Sequence, residues 1–333
     1  MKLAPFYRSF LWILFLLSSI SGLAQQPIGL LAGKVICLDP GHGGTADTDQ
    51  YRVGPAGERE EWINLRVGLI LKRLLENAGA TVLMTRESDL LLSLADRAEM
   101  AVANKADMFV SIHHNATADR SVNFPIVYFH GSAEENLAGV RLAKLIGDSF
   151  VASMFKGQSA LSVVSDFAIF PNSGAGVLRG TYGIPAVIAE ASFFSDPKEE
   201  KRLRRRSYNQ KEAKAYFRAI STFFSHPDDL PILEKKQPLT LTPFLVFQEA
   251  ERMSPEAKNW YANFMEGKKI VDEQSIELFE KALDLLTLSI KSFPDSPVAG
   301  VAHDYRARAL EALGEEADAE QERRRRRYFY PEL

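Results

Sequence analysis

From residue 34 to about 225, short apolar runs alternate with amphipathic stretches, the pattern of an α/β region with a largely parallel sheet. Candidate strands are Lys34 to Asp39, Thr81 to Thr85, Met108 to His113, Ile126 to Phe129 and Ala186 to Glu190. Between the first two, Trp62, Leu65, Leu69, Leu71 and Leu75 recur at near-helical spacing, which predicts a helix over Glu61 to Asn77 with Gly79 as its C-cap. Ser93 to Ala103, Glu134 to Met154 and Lys198 to Phe224 carry further helical patterns.

Beyond this region the pattern changes. His226-Pro227-Asp228-Asp229 opens a proline-rich and polar stretch, so residues 227 to 243 read as a linker. Residues 244 to 325 hold no strand pattern, and Ser254-Pro255 and Asp295-Ser296-Pro297 each precede a helical one, with proline suited to a first turn. The pair Ser275 to Ser292 and Val298 to Gly314 resembles one tetratricopeptide-type helical hairpin. Such units stack in arrays, so a lone hairpin is expected to pack on another helix pair such as 244 to 267. The expected architecture is an open, mostly parallel twisted sheet flanked by helices, occupying 32 to 226, followed by a small all-α C-terminal domain over 244 to 333. Docking of a protein partner or activator, rather than chemistry, is expected of that second part, with an ordinary helical bundle of no binding role as the alternative, so a chain ending near Pro231 should keep its activity on soluble fragments.

The first 24 residues stand apart from both. Lys2 and Arg8 form a positive n-region, Phe10 to Ile20 an apolar h-region, and Gly22-Leu23-Ala24 a small-residue cleavage site. A run of eleven residues falls short of a membrane span, so the reading is a secretory leader and a mature chain starting at Gln25. Export to the periplasm or another extracellular part of the cell envelope follows, with no stable membrane span. The formal charge of −3 becomes more negative without Lys2 and Arg8, which argues against nucleic acid as a partner. The single cysteine, Cys37, excludes an intramolecular disulfide framework and a cysteine-built zinc site. Any metal needs histidines and carboxylates.

Three candidate strands end in such residues. The first runs into Pro40-Gly41-His42-Gly43-Gly44, the third into His113-His114-Asn115, and the last into Glu190. Sites in open α/β sheets form at the carboxyl ends of strands, so these groups are placed to meet above one sheet edge. Two histidines and a carboxylate make a common catalytic zinc shell, and a further carboxylate would serve as acid and base. Phosphate-cradling patterns GxxxxGK[ST] and GxGxxG are both absent. His130 and Glu134 lie four apart but lack the second histidine of an HExxH site.

Together these segments resemble the zinc-dependent N-acetylmuramoyl-L-alanine amidases. The likeness runs over Leu38-Asp39-Pro40-Gly41-His42-Gly43-Gly44, Glu60-Glu61-Trp62-Ile63-Asn64-Leu65, Thr85-Arg86 with Asp89, Leu94, Arg97 and Ala103-Asn104, Ser111-Ile112-His113-His114-Asn115, and Pro185 to Glu190. It implies Zn2+ as cofactor, His42, Glu60 and His113 as its ligands, and Glu190 as the catalytic carboxylate. Glu58 and Glu61 are rivals to Glu60, and the family spacing of four residues before Asn64 selects Glu60. His114 rivals His113; strand alternation points it to the other face, and it stands where the family often has a small residue, so it is also a candidate for lining the substrate cleft. Arg86, Asp89 and Arg97 read as a structural ion-pair network. After Glu190 the chain has Ser192-Phe193 and Ser195-Asp196-Pro197 where the family often has Gly-Phe and Ser-Asn-Pro. The basic runs Lys201 to Arg206 and Arg323 to Arg327 read chiefly as solvated helix faces, with anionic envelope polymers as the alternative.

The implied activity is hydrolysis of the bond between N-acetylmuramic acid and L-alanine in bacterial peptidoglycan, in wall remodelling or daughter-cell separation. The rivals are a zinc peptidase acting on the stem peptide and a non-catalytic wall-binding scaffold.

Overall fold

The computed structural model describes residues 29–226, 230–236 and 240–332. The leader with its cleavage point, and part of the expected linker, lie outside the described residues.

The chain order is β1 (Val35–Pro40), α1 (Glu60–Asn77), β2 (Thr81–Met84), α2 (Leu94–Ala103), β3 (Met108–Asn115), β4 (Ile126–Phe129), α3 (Leu137–Met154), β5 (Ser162–Ser165), α4 (Gly176–Arg179), β6 (Ala186–Phe193), α5 (Pro197–Leu203) and α6 (Arg206–Ser225). After it come α7 (Glu249–Arg252), α8 (Trp260–Asp272), α9 (Phe279–Ser292), α10 (Ala299–Ala312) and α11 (Glu316–Phe329). The described strands form one sheet in the order β2-β1-β3-β6-β4-β5. Every neighbouring pair is parallel except β4 with β6, which run antiparallel. The open, mostly parallel architecture is therefore the one expected.

Both faces of the sheet are covered, which is why the central strands read as unbroken apolar runs rather than alternating ones. On one face Leu71 of α1, Ile146 and Phe150 of α3 and Tyr216 of α6 pack on Ile36, Val110 and Val187. On the other, Phe109, Phe124, Tyr128 and Phe193 meet α2 and α4, and also Phe293, Ala299, Phe329 and Tyr330 of the helical region. The Phe293 ring lies 5.9 Å from that of Phe124 and 6.1 Å from that of Phe193. The helical region thus shares a core with the sheet. Its own helices add two smaller clusters, around Phe279 and around Leu286. Cys37 is a fully enclosed part of the second layer, and burial, with the Asp39 charge beside it, pushes its thiol up to about 12.

Several boundaries have local causes. Gly79, at φ 95°, ends α1, and Ser93 caps α2 by accepting from the Asp96 amide. The single helix expected over Lys198 to Phe224 is two. Asp196 caps the first with Pro197 in its opening turn, and the Asn209 side chain, inside the second, takes the freed Leu203 carbonyl at 2.9 Å. β5, at the sheet edge, was not expected: four residues with serine at both ends carry too little pattern. Of the helical pair expected over 275 to 314, α9 begins only at Phe279, after a single 3-10 turn over Ile276–Leu278. No helix among the described residues is long and apolar enough to cross a membrane.

Candidate active site

β1 delivers His42 through a loop that only glycine neighbours permit. His42, Gly43 and Gly44 take φ of 59°, 121° and 70°, a run of left-handed residues that turns the imidazole over the sheet edge. Arginines tie the loop down. Arg97 donates to Asp39 Oδ1 at 2.7 Å and to the His42 carbonyl at 2.7 Å, and Arg86 donates to the Pro40 and Gly41 carbonyls at 2.7 and 2.9 Å. Asp89 accepts from the Gly44 amide at 2.7 Å and from the Trp62 indole at 3.2 Å. These three residues are structural, as the sequence suggested, but act chiefly through bonds to the loop's backbone rather than as an ion-pair network. Among the described residues their ion pair is that of Arg97 with Asp39. A Cβ on Gly41 would lie 2.1 Å from the His113 ring, so glycine there makes room for the second histidine.

His113 stands on β3 in register with Glu190 on β6. Glu60 opens α1 and is almost fully enclosed. One ligand atom from each of His42, Glu60 and His113 can be chosen so that all three lie within 4.8 Å of one another. His113 Nδ1 is 2.9 Å from Glu60 Oε1, and His42 Nε2 is 3.2 Å from Glu60 Oε2. Glu60 Oε1 also accepts from Asn64 Nδ2 and the His114 amide, both at 3.2 Å. Its other oxygen is buried with no well-aligned hydrogen-bond donor. A buried carboxylate with one imidazole against each oxygen, and one of those oxygens short of a hydrogen-bond donor, is a donor set that a divalent cation such as zinc would satisfy. The residues fit the metal.

The rival side chains are engaged elsewhere. Glu58 pairs with Arg66 at 2.7 Å and Arg204 at 3.4 Å, and Glu61 with Arg59 at 2.5 Å. The His114 side chain is 0% exposed, held by Asn64 at 2.9 Å and Glu212 at 3.2 Å. It is among the residues that line the cleft, as one reading of its position had it, with its ring fully buried. It braces Asn64, which in turn holds Glu60. His130 is buried against Asp166 at 2.7 Å, while Glu134 pairs with Arg327 at 3.0 Å. The basic run on α11 is likewise largely paired, Arg323 with Glu311 and Glu320, Arg325 with Glu322, and Arg326 with Asp304.

Glu190 lines the same cleft, of about 510 Å³, and its Oε2 has no hydrogen-bond partner. Burial, helped by the Glu60 charge, pushes its carboxyl well above the usual range, with Arg52 and Arg252 opposing. Glu60 goes the other way. Burial alone would raise it, but the His42 charge and the bond with His113 hold it well below. Two neighbouring carboxyls with opposed proton affinities are the arrangement of one permanent anion and one proton carrier.

Sequence reasoning missed the walls of this cleft. Arg52, in a single 3-10 turn, reaches Glu60 at 3.6 Å, Asp49 at 3.4 Å and Glu249 at 2.9 Å. Glu249, Phe247 and Arg252 come from the helical region, and Tyr128 from β4. Their only trace in the sequence is charge that reads as solvated surface, because their partners are remote along the chain.

The family model described as N-acetylmuramoyl-L-alanine amidase matches residues 36–222. Among curated proteins, the chain is 32% identical over 200 residues to a probable cell wall amidase, LytH, of Staphylococcus epidermidis, a match covering 59% of this chain and 60% of that one. It is 26% identical over 255 residues to the N-acetylmuramoyl-L-alanine amidase AmiA of Escherichia coli, covering 67% of this chain and 87% of AmiA. Among solved structures, AmiC2 of Nostoc punctiforme superposes with a TM-score of 0.50 at 26% identity, over 60% of this chain and 99% of that one. The CwlD amidase from Clostridioides difficile, in complex with the GerS lipoprotein, gives 0.50 at 28%, over 58% of this chain and 98% of CwlD. The chain spans about 60% of the length of the staphylococcal proteins it matches, and the family match stops before the helical region.

Proposed function

Because the chain belongs to the N-acetylmuramoyl-L-alanine amidase family, we propose that it is an exported zinc hydrolase of bacterial peptidoglycan. It cuts the amide between the lactyl carboxyl of N-acetylmuramic acid and the stem peptide's L-alanine, in wall remodelling or daughter-cell separation. One observation carries the reading: His42, Glu60 and His113 converge beside Glu190 in a single cleft, inside the stretch the family model matches.

His42, Glu60 and His113 would hold the metal. Zinc, when bound, supplies Lewis acidity that polarises an amide carbonyl and lowers the pKa of water. Burial lowers the proton affinity of His113, which keeps its ring in the neutral form that ligates a metal. Glu190 accepts a proton from the attacking water and passes it to the leaving nitrogen. The water oxygen ends on the lactyl carboxyl, the carbon–nitrogen bond breaks, and the peptide departs with a free alanine amine. The high proton affinity of Glu190 suits the first half of that task, since a more basic carboxylate takes the water's proton more readily and holds it for transfer to the leaving nitrogen.

The leader over 1 to 24 would direct export, 32 to 226 would form the catalytic part, and 244 to 333 a tetratricopeptide-like part that docks a protein partner or activator. The solved complex of CwlD with a lipoprotein supports a protein partner for an amidase of this fold. The test of the whole reading is hydrolysis of isolated sacculi by the purified mature chain. Chelation should abolish it and added zinc restore it; activity indifferent to chelation would overturn the metal.

A further inference from the structure

The cleft holds one built feature that the reaction above does not use, and it comes from outside the family match. Arg252, the last residue of α7, lines the cleft with its side chain 13% exposed. Its Nη2 donates to Asp295 Oδ1 at 2.7 Å. Asp295 is fully buried and also accepts from the Tyr128 hydroxyl on β4. The Phe293 ring lies 5.5 Å from the guanidinium carbon. An arginine clamped in this way has given up its rotamer freedom before any ligand arrives, which is the usual condition for tight anion recognition.

The second guanidinium of the cleft is less available. Arg52 is shared among Asp49, Glu60 and Glu249, whereas Arg252 makes an ion pair with Asp295 through one nitrogen of a group that carries five N–H donors. Asp166, Glu190 and Glu249 also line the cleft, so among its side chains an anionic group on a substrate has Arg252 as its favourable contact. The peptide released in the proposed reaction carries such a group. Where its second residue is acidic, that residue adds an α-carboxyl that can be free or capped as an amide. Counted along the chain, that carboxyl lies about 7 Å from the scissile nitrogen, and Arg252 lines the same cleft as Glu190, His42 and His113.

We propose that Arg252, supplied by the helical region and clamped by Asp295, is a specificity-determining residue that binds the free carboxylate of the stem peptide's second residue. This rests on the amidase reading above. It also gives the helical region a share in substrate selection.

The experiment uses the full mature chain and two soluble muramyl-peptide fragments that differ only in whether the second residue's α-carboxyl is free or amidated. The two compete in one reaction, and the ratio of their kcat/KM values is read by mass. That ratio does not depend on how much of a variant is folded, so a destabilised sample still reports. The intact chain should favour the free acid by roughly ten- to a hundredfold, the usual effect of a charge-assisted hydrogen bond, with the difference lying in KM. Arg252→Gln should bring the ratio close to one, and Arg252→Lys should retain part of it. A wild-type ratio near one, or a preference that survives in both variants, overturns the proposal while leaving the amidase reading standing. If the intact chain releases no peptide with a free alanine amine from either fragment, the amidase reading fails and the proposal falls with it.

Discussion

His42→Ala, Glu60→Ala and His113→Ala each remove one donor from the trio, so bound zinc should fall together with hydrolysis. Glu190→Gln keeps the side chain's shape but cannot accept a proton. It should retain most of the zinc, fold normally and lose on the order of 10² to 10⁴ in turnover. Metal analysis beside kinetics separates the two classes. Near-full activity in Glu190→Gln contradicts the assigned proton carrier, and loss of its metal would make Glu190 a ligand. His42, His113 and Glu190 were legible as candidates from glycines after β1 and polar residues late in β3 and β6, although those strands run on to Asn115 and Phe193, whereas Glu60 was picked from among Glu58, Glu60 and Glu61 by the family spacing alone. The second histidine of the pair was half legible. Alternation sent His114 to the opposite face, but that it closes on Glu212 and Asn64 depends on α6, far along the chain.

At the scale of elements, helices with a clean apolar period were readable, and those whose meaning lies in charge were not. α11 reads as a solvated basic stretch, yet it carries Glu322 into an enclosed site with His303, Arg306 and Arg325. Burial alone would raise that carboxyl, but the His303 charge and hydrogen bond, with the two guanidinium groups, bring it from 4.5 to about 2. A group with its folded pKa depressed stabilises the fold above its unfolded value and loses that contribution as pH falls through the folded one. The advantage of the wild type over Glu322→Gln should therefore shrink between about pH 4.5 and about pH 2, by on the order of 3 kcal/mol. Denaturant unfolding of both proteins at stepped pH reads the difference. Parallel profiles across that window would show that the α10–α11 charge cluster is not what holds Glu322.

For the molecule as a whole, a mostly parallel sheet flanked by helices follows from patterns the sequence displays, but the strand order, the edge strand β5 and the join between the two parts do not. Phe293, Phe329 and Tyr330 look like ordinary helix-bundle core until they are seen against Phe124, Tyr128 and Phe193. A chain ending near Pro231 was expected to keep its activity on fragments. In the structure that cut uncovers one apolar face of the sheet and removes Phe247, Glu249 and Arg252 from the cleft. The shortened chain should unfold at lower temperature, bind an apolar dye and hydrolyse fragments more slowly. Unchanged melting and activity would mean that the helical region is only a passenger on the catalytic part.

The bond that is cut tests the account most directly. A soluble muropeptide is digested by the mature chain with zinc in water enriched in ¹⁸O, and the products are read by mass. The account predicts one labelled oxygen on the lactyl carboxyl of the glycan fragment and an unlabelled peptide beginning with L-alanine. Label on a peptide carboxyl would identify a stem-peptide peptidase, and intact substrate would leave a fold that binds the wall without cutting it.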